Sequence, residues 1–408
     1  MSDTRWLIQL CSARLCFGFI FMAYSSAVPL LMTDWAMSSG QAGLIHAGWH
    51  IGYLVSLVTA GLLSQKFGAK VTYLSMSWAA VAGALMFALL TNGFWSALLL
   101  YTVAGLCSGG SYTPGLTLIA ERFAPERRGT AMGWYLAASS IGYAVFLFVG
   151  GGVLAASGWR ASFLLACAGP MLGIVLAYHV LARSPNRVPA GRLEGSGSSW
   201  RAVRRNKPAM LAIWSYAFHS WELLALWAWL PSYIAAVALA QHGSSAAAAM
   251  GAALAGVTFL TNAAGSVLGG RLSDTLGRGR VMLALTCVSI SCSLIFGWLF
   301  SAPLWLITVV AIVYNLAALG DSSVYSSALT DLVPAQDLGA AFALRAVLGF
   351  GLGALSPVIL GLVLDFGVAQ SGARGTLAWG MAWSVLGVGA LPGLWAIARM
   401  RRSARSGF

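Results

Sequence analysis

Twelve stretches of this chain run for about twenty residues or more with almost no charge, and that one feature decides what the chain can become. A helix needs about 20 apolar residues to cross the hydrocarbon of a bilayer, where every backbone polar group must be satisfied inside the segment itself. The stretches lie near 6–31, 41–63, 71–92, 96–119, 130–155 and 161–182, then near 209–237, 246–269, 280–300, 304–330, 339–364 and 376–399. Charged residues make up 9% of the chain, against about 25% in soluble domains, so the polar remainder is too small to coat a water-soluble surface. The expectation is an all-α membrane protein of twelve transmembrane helices.

Residues 183–208, "RSPNRVPAGRLEGSGSSWRAVRRNKP", are rich in Pro, Gly, Ser and Arg and lack apolar periodicity. They read as a solvated linker between two six-helix bundles, 1–182 and 209–408. Of the 24 Lys and Arg residues, Arg160 and Arg374 fall in loops on one side and Arg14 and Arg345 inside spans; the other twenty occupy the termini, the linker and the loops on the opposite side. Basic residues in short loops stay on the cytoplasmic side, so both termini are expected there, in a bacterial-type plasma (inner) membrane. The net charge of +13 is therefore a topology signal, not a nucleic-acid surface. The six cysteines all lie in apolar runs without disulfide or metal-site spacing and read as free thiols. The first span is too long for a signal-peptide core and reads as a retained helix.

The chain also repeats itself. "AGLLSQKFGAK" from Ala60 has a near copy, "GGRLSDTLGRGR", from Gly269, and Gly110, Ser111, Glu121 and Gly129 correspond to Gly320, Asp321, Asp331 and Gly339 at an offset of 210. The second copy resembles the signature loop of the major facilitator superfamily, roughly G-x-L-x-D-x-x-G-R-K/R, with Gly270, Leu272, Asp274, Gly277, Arg278 and Arg280 in place. The resemblance implies two pseudo-symmetric six-helix halves that rock about a central site, the first, fourth, seventh and tenth helices lining it. It also implies that the repeated loop acts as a conformational gate on the cytoplasmic side, formed here by Gly61, Gln65, Gly68 and Lys70 and by Gly270, Asp274, Gly277 and Arg278. In the first copy Gln65 stands in place of the acid and Ala69 in place of the first basic residue, which predicts a weaker latch. The exit of the fourth span, "AERFAPERRGTAMG", offers Glu121, Arg122, Glu126 and Arg128 as partners for Lys66 and Lys70. The Gly-Pro pattern of drug/proton antiporters is missing from the fifth span, which disfavours multidrug efflux.

Four ionisable residues lie well inside spans: Arg14, Glu222, Asp321 and Arg345. Each costs about 2.5–3.5 kcal/mol on insertion scales, so each should face a cavity or a partner. Arg14 and Glu222, on the first and seventh helices, are expected to face each other across the site; Asp321 and Arg345 are expected to pair. A guanidinium suits a carboxylate or similar oxyanion, while a desolvated carboxylate suits proton uptake. The expected substrate-binding set is Arg14, Phe21, His50, Tyr53, Tyr112, His219, Glu222, Tyr314 and Tyr325. Glu222, Asp321 and Arg345 are the expected proton-coupling or ion-pair residues. His46 and His50 have the spacing of two helical metal ligands without a third, so no metal is expected. Trp221 reads equally as cavity lining or as helix packing.

No nucleotide-binding loop is present, so ion gradients are the expected energy source. The reading is a secondary transporter of a small organic anion coupled to protons, acting as a monomer, with no cofactor, no nucleic-acid partner and no enzymatic constellation. Proton-driven efflux of an amphipathic compound is the alternative within the class; a transporter-like sensor or a membrane-embedded enzyme lies outside it.

Overall fold

The computed structural model describes residues 2–188, 196–243 and 246–403. Among them, eleven helical segments are long and apolar enough to cross a bilayer. The segment Arg127–Leu181 has 55 residues, roughly 80 Å of helix, far more than one crossing uses. It breaks at Gly158, where φ is 77°, and so supplies two spans. The twelve helices are α1 (Asp3–Asp34), α2 (Ser39–Phe67), α3 (Ala69–Leu90), α4 (Phe94–Arg122), α5 (127–157), α6 (159–181), α7 (Lys207–His242), α8 (Ala247–Leu276), α9 (Arg278–Ser301), α10 (Leu304–Leu332), α11 (Leu338–Ser371) and α12 (Thr376–Ser403). Each expected span is present. Most helices run several residues past the apolar stretch, because helical hydrogen bonding continues into the polar boundary of the bilayer.

The duplication is visible in the packing. In one half Ser56 Oγ of α2 accepts from Gly109 N of α4 at 3.0 Å; in the other, Ser266 Oγ of α8 donates to the Leu319 carbonyl of α10 at 3.4 Å. Both members of the second pair are offset by 210 from the first. A Cβ on Gly52 or Gly105 would strike the backbone of the facing helix of the α2–α4 pair, and one on Gly269 would strike Gly320 of α10. Small residues let helices approach closely where water offers no apolar driving force.

The chain divides into two compact units: Met1–Met37, Leu44–Ala190 and Ile234–Leu260 in the first, Ser38–Gly43, Gly191–Tyr233 and Thr261–Phe408 in the second. The division does not fall only at the linker. It passes through α2, α7 and α8 as well. In the first unit Trp6, Leu10 and Phe17 of α1 pack with Tyr73, Leu118, Tyr135 and Ile174 in a continuous core. In the second, the start of α2 is held by α11: the Ser39 and Gly40 N–H groups donate to the two oxygens of Asp365, each at 2.8 Å. Those two amides are among the four that a helix start leaves without an internal partner.

Part of the linker is itself helical. Residues 189–195 lie outside the described residues, but Ser196–Arg205 form a helix. Its buried Val203 packs with Ile213, Leu329, Val333 and Ala341. Its three apolar residues, Trp200, Ala202 and Val203, are too few to register as periodicity, yet the buried Val203 is enough to seat the helix.

Candidate functional site

In the first unit the buried guanidinium of Arg14 is the focus. Its Nε donates to Ser139 Oγ at 2.7 Å and its Nη1 to Ser111 Oγ at 2.6 Å. Ser111 sits in the 3₁₀ turn Gly109–Ser111 that interrupts α4, and Tyr135 of α5 steadies that turn by donating to the Ser111 carbonyl. α5 comes close enough to supply Ser139 because Gly142 lies against the Leu15 carbonyl, where a Cβ would clash. The Tyr112 and Tyr135 rings stand 5.3 and 5.8 Å from the guanidinium carbon, and Tyr53 shares a hydrogen bond with it. No carboxylate pairs with Arg14 among the described residues. Its neighbours are hydroxyls and ring faces, which solvate a cation without cancelling its charge.

Aromatic residues extend from this point. Phe21 contacts Tyr143 at 5.0 Å, Trp49 at 5.7 Å and His50 at 5.8 Å between ring centroids, and Tyr101 donates to the Phe21 carbonyl at 2.8 Å. His46 packs edge-on against Tyr24 at 4.7 Å. Thus Arg14, Tyr53 and Tyr112 gather at one point, Phe21 and His50 at the next. Ser111, Ser139, Tyr135 and Tyr143 were not anticipated; the correspondence of Ser111 with Asp321 was the available signal.

In the second unit Glu222 of α7 is buried at 1% exposure. Ser293 of α9 donates to its Oε1, and Ser293 shares a second hydrogen bond with the Tyr314 hydroxyl of α10. With Ser293 donating to the carboxylate, Tyr314 is the donor to Ser293, so two hydroxyls line up on Glu222. One turn earlier, His219 places Nδ1 3.2 Å from Asp321 Oδ1 and Nε2 3.1 Å from Ser322 Oγ. The Tyr325 ring lies 5.4 Å from the imidazole. The five expected residues on α7 and α10, His219, Glu222, Tyr314, Asp321 and Tyr325, therefore gather in these two adjoining clusters, with Ser293 and Ser322 added.

The expected Asp321–Arg345 ion pair is not formed. Arg345 Nη1 donates to Ser326 Oγ at 2.8 Å, and its guanidinium stacks on Tyr216 at 4.4 Å and Phe342 at 4.8 Å. Ser326 lies five residues after Asp321, about 140° around the helix, so Arg345 meets a different face of α10 from the one that meets His219. Trp221 packs into the notch left by Gly389 of α12, which makes it a packing residue.

The two copies of the repeated loop turn alike and are held differently. Gly68 and Gly277 both have positive φ, 87° and 92°, which an L-residue adopts only with strain. Gly61 and Gly270 face corresponding residues, Thr113 and Ser323, at ordinary contact distance. In the second copy Arg278 pairs with Asp274, donates to Ser273 Oγ at 2.7 Å and reaches Asp331 of α10 at 3.2 Å. In the first, Lys70 donates to the Ser184 carbonyl at 2.8 Å, and Asn186 bonds the Phe67 carbonyl and the Val71 amide. Among the described residues, no expected partner from the fourth span forms an ion pair with Lys66 or Lys70: Arg122 pairs with Asp3 at 2.9 Å, the Glu121 carbonyl accepts from Arg187, and Lys66 lies over the Phe67 ring. The Glu126 side chain lies outside the described residues. Gln65 is exposed.

The family profile described as Major Facilitator Superfamily matches residues 10–258, more than half of the chain. The chain belongs to the Major Facilitator Superfamily. It is thus a multi-pass transporter of the secondary type. Among curated relatives, the hexuronate transporter of Bacillus subtilis is 25% identical over 88% of this chain and 87% of its own length. The probable sulfoacetate transporter of Cupriavidus necator is 26% identical over 92% and 90%. The cis,cis-muconate transport protein of Acinetobacter baylyi is 23% identical over 91% and 89%. Of solved structures, a bacterial homologue of the human lysosomal transporter Spinster superposes with a TM-score of 0.75 at 16% identity, over 99% of this chain and 98% of that one. That likeness is one of fold.

Proposed function

We propose that this transporter carries a small carboxylate-like organic anion, bound at Arg14, and couples its movement to protons. The observation that carries the reading is a buried guanidinium with hydroxyl partners and, among the described residues, no carboxylate. A membrane-embedded cation costs several kcal/mol, and one left without an internal counter-ion is matched by an anion brought from outside. Serine and tyrosine hydroxyls rotate freely enough to donate to that anion once it arrives, so the same groups solvate the guanidinium when empty and the ligand when full. Phe21, His50, Tyr53 and Tyr112 supply the apolar and hydrogen-bonding walls. The names of the relatives, hexuronate, sulfoacetate and muconate transporters, describe carriers of small organic anions and support the substrate class.

Proton coupling rests on the second unit. Glu222 with its two hydroxyls, and Asp321 with His219, are buried acids that can exchange a proton for the loss of a charge. Arg345, engaged with Ser326 and two rings, serves as a packing cation there. The repeated loops serve as the conformational gate. The transporter works as a monomer with cytoplasmic termini in a bacterial plasma membrane and performs no covalent chemistry.

The test is a thermal-shift screen of hexuronates, sulfoacetate, cis,cis-muconate and related oxyanions on the wild type and Arg14→Ala, followed by counterflow of labelled ligand in proteoliposomes. A true substrate should stabilise the wild type and bind Arg14→Ala at least about 100-fold more weakly. A ligand that stabilises both equally would remove Arg14 as the anchor.

A further inference from the structure

The linker helix Ser196–Arg205 presents a cationic face that transport does not use. Val203, on one side, is buried at 1% exposure among Ile213 of α7, Leu329 and Val333 at the end of α10, and Ala341 at the start of α11. At 100° per residue, Arg201, Arg204 and Arg205 lie about 160°, 100° and 160° around the helix from Val203, on the side turned away from it, and Trp200 lies about 60° from Val203 at the margin of that side. They line an open concavity of about 490 Å³. Arg201, Arg204 and Arg205 are exposed and take part in no ion pair among the described residues, in contrast to Arg122 and Arg278, which have carboxylate partners.

Position adds the second half of the argument. Only Asn206 separates this helix from α7, and Asn206 ties the junction down by donating from Nδ2 to the Leu332 carbonyl at 2.8 Å. The helix is thereby fixed at one end of a bundle of spanning helices, which in a bilayer is the level of the lipid headgroups. Tryptophan favours that depth, and arginines there extend their charged ends toward phosphate. A basic cluster next to a spanning helix, with no carboxylate paired to it among the described residues, complements the negative surface of a bilayer.

We infer that Trp200, Arg201, Arg204 and Arg205 form a binding site for the phosphate-bearing headgroup of an anionic phospholipid. Arginine forks match phosphate oxygens in pairs, which a diffuse excess of loop charge does not do. Trp200 closes one side of the concavity against the glycerol region.

The test uses the full-length protein in a neutral detergent, with retained lipid counted by native mass spectrometry as dioleoylphosphatidylglycerol is titrated. The wild type should retain phosphatidylglycerol in preference to phosphatidylcholine. R201Q/R204Q/R205Q should weaken retention by about fivefold for each arginine removed. R201K/R204K/R205K should keep most of it, and R5Q/R127Q/R402Q, which removes the same charge elsewhere, should leave it unchanged. Equal losses in the two glutamine triples would reduce the site to bulk electrostatics and overturn the inference. So would competition by inorganic phosphate at concentrations matching the lipid, or equal retention of phosphatidylcholine.

Discussion

The surroundings of Arg14 and those of the His219–Asp321 pair occupy corresponding places in a duplicated frame and have different electrostatic characters. Ser111 and Asp321 are equivalent positions, 210 apart, and each holds the ionisable side chain offered by the first helix of its own half. In the first unit a neutral hydroxyl meets a guanidinium; in the second a carboxylate meets an imidazole. On the proposed reading, the first keeps a charge for a ligand to balance, while the second balances its own by moving a proton. Duplication supplied the scaffold twice, and a different residue at the same position gives each half its own partner.

The largest expected effect comes from erasing that difference. Ser111→Asp gives Arg14 the internal counter-ion that its neighbours withhold, and anion affinity measured by thermal shift should fall at least about 100-fold, as for Arg14→Ala. Undiminished affinity would break the comparison at its centre. Next is Glu222→Gln, which keeps hydrogen bonding but removes the acid: accumulation driven by an imposed pH gradient should disappear while counterflow exchange persists. Accumulation that still follows the pH gradient would move the coupling role to Asp321 and His219. The smallest effect is expected at the gate. Gln65→Asp gives the first loop the acid of Asp274, and because Ala69 supplies no matching arginine, accessibility labelling on the loop side should show only about a two- to fivefold shift toward the closed state. No shift would mean that the loops differ in sequence but not in duty.

How far the sequence reached depended on the kind of signal. The spans were legible because hydrocarbon imposes one length on every one of them, and the duplication because Gly68 and Gly277 must make the same positive-φ turn. The buried charges announced themselves by their cost. Their partners did not. Ser111 and Ser139 carry no comparable penalty in an apolar run, so nothing in the string marks them as the groups that hold Arg14. Asp321 and Arg345 looked like natural partners by charge and depth, but pairing also needs a common helix face, and α10 turns those faces apart. The linker helix escaped notice because a single valine anchors it.

Asp365 closes the helix start of residues 39 and 40 from a point 326 and 325 positions further along the chain. A ribosome making this protein therefore releases the second helix long before the group that finishes it exists. Until α11 arrives, those two amides must borrow water or headgroup oxygens at the membrane surface. The clasp is thus a marker of completion: its formation reports that the eleventh helix has found the second, and a chain truncated before residue 365 can insert its early helices but never seal that end.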